Sequence, residues 1–369
     1  MATDAPRPSG DAGSALPVAA AKTRIGLFTL ASGAPMGQQA YEHAVVGRAP
    51  AALGPGWEVR PVAVRSLRSP LAGGARLPGR LLGDGPPLLR RVAGRAVYRG
   101  VDLVHRFDLR LPPGPPGELL TVHDVAPWRY DDEGSVPRDG ARSVRRAACV
   151  VCPSQFAADD IVSVLGSANV RVIHNGVDRR FFEAQPLGDE DLARLGVHRP
   201  FVLHAGGATR RKNLEGLAAA WPLVRSATAP VELVLVGPAD DRRDRHFAGL
   251  AGTVRTGRVD DATVTGLVAA AAVVVVPSLY EGFGLPALEA MAARTPVVAA
   301  RCGALPEVCG DAAYLVEPDG PGLADGILAA LRDTAGTAAL VARGATRAAS
   351  FTWEASAAAH ADLWKAHAP

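Results

Sequence analysis

Short aliphatic runs alternate with helical spacers along most of the chain, and this pattern constrains the fold more than any other feature. The first run, at 24–30, stops at Ser32-Gly33 as a buried parallel strand would, and a helical stretch follows from Gln38 to Leu53. Further strands are predicted at 59–64, 101–105, 118–122, 149–151 and 170–173. Strands that alternate with helices in this way indicate parallel βαβ units in an open, doubly wound sheet.

The pattern breaks around 182–200, at Gln185-Pro186 and an acidic patch, and then restarts. The second series has strands predicted at 201–204, 231–236, 254–256, 273–276, 296–299 and 313–316, with helices at 213–226, at 261–270 and from Leu285. Because 369 residues exceed one typical domain, we predict two α/β, Rossmann-like domains at 22–185 and 186–350. A disordered tail over 1–21 precedes them, and an amphipathic helix at 352–366 lies within the C-terminal segment 351–369.

Composition excludes several classes of protein. Apolar residues make up 48% and charged residues 21%, an ordinary globular balance. The longest apolar run, 267–276, is far shorter than the roughly 20 residues that span a bilayer. A net charge of +3, from 40 basic and 37 acidic residues, argues against a dedicated nucleic-acid binder. Residues 1–21 show no secretory signal and the chain has four cysteines, so we expect a cytoplasmic protein.

Lysine is rare in this chain. Of the 40 basic residues only Lys22, Lys212 and Lys365 are lysines, and the rest are arginines. A chain that uses arginine almost everywhere and keeps lysine in its middle makes Lys212 a candidate functional residue.

The strongest local motif is PSLYEGFGLPALEAMA, from Pro277 to Ala292. A strand ends before it, and Pro286 stands where a helix begins. The N-terminus of a helix binds phosphate well, and ligands of open α/β sheets bind at the carboxyl ends of strands. Glu281 and Glu289, eight residues apart, would line that crevice and accept hydrogen bonds from sugar hydroxyls. The alternative is a tight turn with Glu281 beside the helix dipole and Glu289 in solvent.

This segment resembles the E-x7-E region of glycosyltransferase family 4, the retaining enzymes of the GT-B fold. Six further segments match family motifs in the expected order, and the resemblance covers about residues 22–366. They are VDLVH at 101–105, TVHD at 121–124, PSQF at 153–156, VIHNGVD at 172–178, LHAGGATRRKNL at 203–214 and PEV at 306–308.

The resemblance implies an α/β fold of the GT-B type, in which two Rossmann-like domains face a central cleft and the C-terminal helix crosses back to the N-terminal domain. The N-terminal domain would bind the acceptor and the C-terminal domain a nucleotide-diphosphate sugar. The implied reaction is retaining hexosyl transfer to an acceptor hydroxyl, with the leaving phosphate taking the acceptor proton. The nucleotide sugar is a co-substrate, and neither a metal nor another cofactor is expected. The acceptor would be a glycan, a lipid or a natural product, and not a nucleic acid.

The resemblance also assigns roles to residues. His123, Glu281 and Lys212 would be the catalytic residues, with His123 beside the reacting carbon. Glu289 would bind the ribose, and Lys212 with Arg211 would neutralise the diphosphate. The other donor-binding positions are backbone sites at Gly37, Gly206, Gly207, Gly257, Arg258, Val259, Phe283, Gly284 and Leu285.

Two positions depart from the family pattern. Many relatives carry an arginine directly after the first glycine of the lysine segment, where this chain has Gly207 after Gly206. Either Arg210 or Arg211 takes that role, or phosphate binding depends more on Lys212. The first glycine loop is GAPMG at 33–37, with single glycines where relatives often have two together.

Other polar and charged clusters favour structural roles. Cys149 and Cys152 form a CxxC inside a strand with no second pair at zinc spacing, and burial is the better interpretation. The acidic segment 131–133 is predicted to be a solvated loop rather than a metal site. The arginine-rich segment 66–100 is predicted to be a solvated surface, with a peripheral contact to a membrane or to an anionic acceptor left open. His105 and His174 are predicted to be core or rim histidines.

Rival functions are a phosphorylase or epimerase of the same fold and a non-catalytic sugar-nucleotide-binding protein. The presence of Glu281, Glu289, Lys212 and His123 argues against the non-catalytic protein. A nicotinamide dehydrogenase is disfavoured because no GxGxxG follows the first strand.

Overall fold

A computed structural model describes residues 22–32, 37–71 and 74–369. Its first sheet has seven parallel strands in the order β3-β2-β1-β4-β5-β6-β7. The strands are β1 Thr23–Leu30, β2 Trp57–Ser66, β3 Ala75–Leu77, β4 Leu103–Arg106, β5 Leu119–Thr121, β6 Cys149–Cys152 and β7 Val170–Val172. The helices between them are α1 Gly37–Leu53, α2 Pro87–Val97, α3 Ala126–Arg129, α4 Gly140–Arg146 and α5 Gln155–Leu165.

The second sheet has six parallel strands in the order β10-β9-β8-β11-β12-β13. Two short helices, α6 Arg179–Phe182 and α7 Asp189–Arg194, lead into it. Its strands are β8 Phe201–Ala205, β9 Glu232–Val236, β10 Thr253–Gly257, β11 Val273–Val276, β12 Val297–Ala300 and β13 Tyr314–Val316. Its helices are α8 Leu214–Ala227, α9 Asp241–Phe247, α10 Asp261–Ala270, α11 Leu285–Ala292, α12 Leu305–Cys309, α13 Gly320–Arg332 and α14 Thr334–Ala349.

Burial of both faces explains the continuous aliphatic strands. In β11, Val274 and Val276 pack into one core of the second domain, while Val273 and Val275 pack into the core on the opposite face. A strand covered by helices on both sides has no polar face, so its sequence does not alternate. The prediction of two Rossmann-like, doubly wound sheets is therefore confirmed.

Several element bounds differ from the sequence prediction. β3 was not expected, because its three residues lie in a segment rich in arginine, proline and glycine. β4 begins at Leu103 rather than Val101, since the Asp102 carboxylate accepts a hydrogen bond from the Arg24 backbone N–H at 2.8 Å. The helices α13 and α14 also lacked a sequence prediction. The proposed boundary at residue 185 stays a prediction, and the tail over 1–21 lies outside the described residues.

The last helix, α15 Trp353–Ala366, crosses back and packs on α1 of the first domain. Trp353, Ala361 and Trp364 join the core formed by β1 and α1. The Trp364 Nε1 donates to His105 Nδ1 at 2.9 Å, and the Tyr41 hydroxyl lies 2.8 Å from His360 Nε2. The crossing helix is confirmed, and His105 is a buried core residue.

The four cysteines are free thiols. Cys149 and Cys152 are buried on β6, and burial raises the pKa of Cys152 to about 12, so the structural interpretation of this CxxC is supported. Within the three described ranges, no helix combines the length and hydrophobicity needed to cross a bilayer.

We predict that Gly176→Ala destabilises the junction between the first domain and α15. A Cβ added at Gly176 would lie 2.2 Å from the Trp353 backbone nitrogen and 2.5 Å from the Thr352 carbonyl carbon, and a backbone cannot move aside cheaply. The free energy of unfolding should fall by about 1–3 kcal/mol, measured by denaturant unfolding. The control is Gly56→Ala, where an added Cβ meets nothing within 4 Å. Equal stability of the two variants would contradict the prediction.

Candidate active site

The loops at the carboxyl edges of the two sheets meet in a cleft. The loop after β5 contacts the loop after β11 so closely that a Cβ added at Gly282 would lie 2.6 Å from the His123 carbonyl oxygen. The Ser154 hydroxyl donates to the Gly282 carbonyl at 2.6 Å, and the Val125 backbone N–H donates to the Tyr280 hydroxyl at 3.2 Å. The structure therefore brings His123 of the first domain next to the loop that carries Glu281 in the second.

Glu281 lies buried at the centre of an ionic cluster. Its Oε1 accepts hydrogen bonds from Lys212 Nζ at 2.6 Å and from the Ser278 hydroxyl at 2.7 Å, and its Oε2 accepts from Arg211 Nη1 at 3.2 Å. Burial by itself would raise the pKa of Glu281, but the charges of Lys212 and Arg211 outweigh it and lower this pKa to about 2. Glu281 is thus a carboxylate whose charge is already balanced by the two cations predicted to bind phosphate.

The turn that carries these cations is fixed by Asn213, a residue to which the sequence analysis gave no role. Asn213 has a left-handed backbone with φ of 54°, and its side chain caps α8 by accepting from the Gly216 N–H at 3.1 Å. Its Nδ2 donates to the carbonyls of Pro277 at 2.9 Å and Pro318 at 2.6 Å. The asparagine after the lysine, placed just before a helix, is an N-cap signal that could have identified it.

The N-terminus of α11 opens beside the cluster. Gly284 reaches a left-handed φ of 104° before Pro286 enters the first turn. In the described part of the chain, no acceptor pairs with the backbone N–H groups of Phe283, Gly284 and Leu285. A Cβ added at Gly37 would lie 3.6 Å from Leu285 Cδ1, so the start of α1 approaches this helix end from the other domain. Unpaired N–H groups and a helix dipole make the position suitable for an anion.

Glu289 lies one turn into α11 in an environment opposite to that of Glu281. Glu289 is partly exposed, and its side chain forms no hydrogen bond to another described residue. Burial raises its pKa to about 7, although the charge of Arg180 acts in the other direction. The Arg180 guanidinium is itself paired with Asp261 at 2.8 Å. Glu289 is therefore available to a ligand and titrates near neutral pH.

His123 follows β5 and comes from the first domain. Its ring packs edge-on against Tyr41 with the ring centres 4.7 Å apart. Its Nε2 is buried and has no hydrogen-bond partner among the residues that the structure describes. Burial lowers the pKa of His123 to about 4, so the imidazole is neutral at physiological pH. A buried, unpaired ring nitrogen at a cleft is a position that a substrate hydroxyl can satisfy.

The remaining predicted backbone positions lie along the carboxyl edge of the second sheet. Gly206 and Gly207 follow β8, and an added Cβ at Gly207 would meet nothing within 4 Å. Gly257 ends β10 with φ of 72°, and the exposed Arg258 and partly exposed Val259 follow it. The roles assigned to these residues stay predictions, and residue 33 lies outside the described residues.

The acidic segment 131–133 is the predicted solvated loop only at Asp131, and its other two carboxylates are paired with residues of the second domain instead. Glu133 accepts from Arg211 Nε at 2.6 Å, and both side chains are largely buried. Asp132 accepts from the Arg210 backbone N–H at 2.8 Å and is paired with Arg242. The prediction failed because these partners belong to the other domain and are about 80 or more positions away in sequence. Among the described residues, no group of three or more His, Cys, Asp or Glu could hold a metal ion.

Comparisons with known proteins agree with this geometry. Residues 36–181 match the family model described as "Glycosyltransferase Family 4", and residues 199–333 match "Glycosyl transferases group 1". The O-antigen chain mannosyltransferase B of Escherichia coli is 36% identical over 276 residues, which cover 68% of this chain and 71% of that protein. The chain belongs to the group 1 glycosyltransferases. Against other curated relatives, this glycosyltransferase spans about half of their length.

Solved structures agree on the fold. Sucrose-phosphate synthase from Thermosynechococcus elongatus superposes on the glycosyltransferase with a TM-score of 0.71 and 25% identity, covering 94% of this chain and 99% of that one. Anabaena HepE in complex with UDP-glucose gives a TM-score of 0.70 with 20% identity, covering 93% and 99%. The predicted GT-B architecture is confirmed.

We predict that Glu133→Gln tightens the binding of inorganic pyrophosphate by the glycosyltransferase. An anion beside the Arg210–Lys212 turn must share Arg211 with Glu133, and the amide removes this competing charge. The dissociation constant should fall by about fivefold, roughly 1 kcal/mol, in isothermal titration calorimetry. Asp132→Asn is the matched control, because it removes a neighbouring carboxylate that does not contact the Arg211 side chain. Weaker binding by Glu133→Gln would instead mean that Glu133 holds Arg211 in its binding orientation.

Proposed function

We propose that this glycosyltransferase is a retaining hexosyltransferase that takes its sugar from a nucleotide-diphosphate donor and needs no metal ion. The observation that carries the proposal is the pairing of Lys212 and Arg211 with Glu281, next to the unpaired N–H groups that begin α11. Two cations and a helix N-terminus together match a diphosphate.

Names of similar proteins support the donor and the sugar class. HepE is described in complex with UDP-glucose, and the Escherichia coli relative is a mannosyltransferase that acts on the O-antigen chain. We extend a nucleotide-diphosphate hexose and a glycan or lipid acceptor to this chain. Glu289 would accept hydrogen bonds from the ribose hydroxyls, since it is partly exposed and its side chain forms no hydrogen bond within the described part of the chain.

The protein groups do not suit a mechanism with a covalent intermediate. The Glu281 carboxylate is held by two cations and a hydroxyl, and its low pKa makes it a poor nucleophile and a poor base. We propose that the bond from the anomeric carbon to the phosphate oxygen breaks while the acceptor oxygen bonds to the same face of that carbon. The acceptor proton passes to the leaving phosphate oxygen. Lys212 and the α11 N–H groups would stabilise the charge that develops there, and His123 would position the sugar.

The proposal is tested in two steps. A thermal-shift screen with UDP, GDP, ADP and dTDP identifies the nucleotide, because a ligand at 100 times its dissociation constant adds about 2.7 kcal/mol. The matching nucleotide sugars are then incubated with glycan and lipid acceptors, with and without excess EDTA, and the product anomer is read by NMR. Transfer that requires manganese, or an inverted anomer, would overturn the proposal. Binding without transfer to any acceptor would favour a non-catalytic sugar-nucleotide-binding protein.

We predict that Lys212→Arg lowers the transfer rate although it conserves charge. The Lys212 ammonium fits a largely buried space 2.6 Å from Glu281, with Arg211 already on the other oxygen of that carboxylate. A wide, planar guanidinium cannot take the same place without displacing neighbours. We expect roughly a tenfold loss, ~1.4 kcal/mol, and a larger loss for Lys212→Ala, in steady-state assays. Lys365→Arg on α15 is the control, and a wild-type rate for Lys212→Arg would contradict the prediction.

We predict that nucleotide affinity rises with pH through Glu289. Because burial raises the pKa of Glu289 to about 7, its carboxyl is neutral below that pH and an ionised acceptor above it. The affinity of wild type for the nucleoside diphosphate should therefore increase from about pH 6 to about pH 8. Glu289→Gln should bind more weakly at high pH, by roughly 1–3 kcal/mol. Subtracting the pH profile of Glu289→Gln from that of wild type removes the contribution of the ligand phosphate, which titrates in both experiments. If calorimetry gave parallel pH profiles for wild type and Glu289→Gln, Glu289 would not be the group responsible.

A further inference from the structure

Helix α2 of the first domain turns its apolar side toward solvent. Leu88 is 72% exposed, Leu89 55% and Val92 57%, although aliphatic side chains of this size are usually buried. The residues that α2 buries are Arg90 and Gly94. The orientation is the reverse of an ordinary amphipathic helix on a protein surface.

Arg90 fixes this orientation. Its Nη1 donates to Asp139 Oδ1 at 2.8 Å, and its Nη2 donates to three consecutive backbone carbonyls after β4 at 3.2, 3.1 and 2.7 Å, those of Leu109, Arg110 and Leu111. Arg90 and Asp139 are both almost fully buried. Rotating α2 to bury Leu88 would separate a buried ion pair, which is strongly unfavourable. The exposure of the aliphatic side chains is therefore built into the fold.

Positive charge borders the apolar face. Arg91 and Arg95 are exposed one turn apart on the same helix. The segment 66–100 contains seven arginines and a single acidic residue, Asp84. Aliphatic side chains flanked by guanidinium groups suit the surface of an anionic bilayer, where alkyl groups enter the headgroup boundary and arginines bind lipid phosphates.

The position of α2 relates this face to the cleft. The helix follows β3 and returns to β4, so its first turn lies at the carboxyl edge of the sheet, where Arg90 ties it to the residues after β4. His123 follows the neighbouring strand β5 at the same edge. We propose that α2 docks the protein on an anionic membrane through Leu88, Leu89 and Val92. Docking is independent of sugar-transfer chemistry, but under the proposed function it would bring a lipid-linked acceptor close to the cleft.

The test is sedimentation of the full chain with phosphatidylcholine vesicles that contain or lack phosphatidylglycerol. Wild type should bind the phosphatidylglycerol vesicles and not the neutral ones. The double variant Leu88→Gln with Val92→Gln should reduce the partition coefficient at least tenfold. The double variant Arg91→Gln with Arg95→Gln should reduce it mainly at low salt, where charge attraction is strongest.

The matched control is Leu223→Gln on α8 of the second domain, where the leucine is 45% exposed. It should bind vesicles like wild type, and the melting temperatures of all variants should be unchanged because the replaced side chains are exposed. Absence of binding to phosphatidylglycerol vesicles, or binding that survives the α2 substitutions, would overturn the proposal. A lipid-free dimer that the Leu88 and Val92 substitutions abolish would also overturn it, since α2 would then be an interface between copies.

Discussion

A single buried carboxylate organises the cleft. Glu281 draws Lys212 and Arg211 from the loop after β8 against the loop after β11, and Ser278 completes its hydrogen bonds. Without these partners the buried charge would be costly, so the two loops are held in one arrangement. The cations are consequently oriented before a ligand arrives. An incoming diphosphate would meet cations that are already in position and partly neutralised by Glu281. Binding would therefore exchange one anionic partner of Lys212 and Arg211 for another, and would not need to order free side chains.

Polar contacts between the two domains also hold the cleft together. Glu307 of α12 accepts from the backbone N–H groups of Gln155 and Phe156 at 2.9 and 3.1 Å, at the start of α5 in the other domain. The Tyr280 hydroxyl donates to Asp160 of α5 at 2.7 Å. A carboxylate placed at a helix N-terminus is stabilised by the helix dipole. The N-terminus of one domain's helix thus serves as the docking point for the other domain.

The sequence was sufficient for every described strand of the two sheets except β3, and for the local motifs. An aliphatic run such as the four valines of β11 identifies a buried strand without information from the rest of the chain. In the same way, the glycine and proline within the E-x7-E segment mark the start of a helix. Contacts between the domains could not be predicted from the sequence. Glu133 and Arg211 are 78 positions apart, and no local pattern around either residue identifies the other as its partner. The exposure of Leu88 could not be predicted for the same reason. The orientation of α2 is fixed by Arg90, whose partners lie after β4 and on the loop before α4.

The crossing of α15 sets an order of assembly. The core of the first domain includes Trp353 and Trp364, which the ribosome makes only after every strand of the second domain. Domains commonly fold from the N-terminal one onward during synthesis, but here the first domain lacks part of its interior until the last helix has emerged. The second domain, whose strands and intervening helices are contiguous in sequence, can complete its core earlier. We therefore expect newly made chains to complete the core of the second domain first, and the core around β1 and α1 only when α15 packs on it.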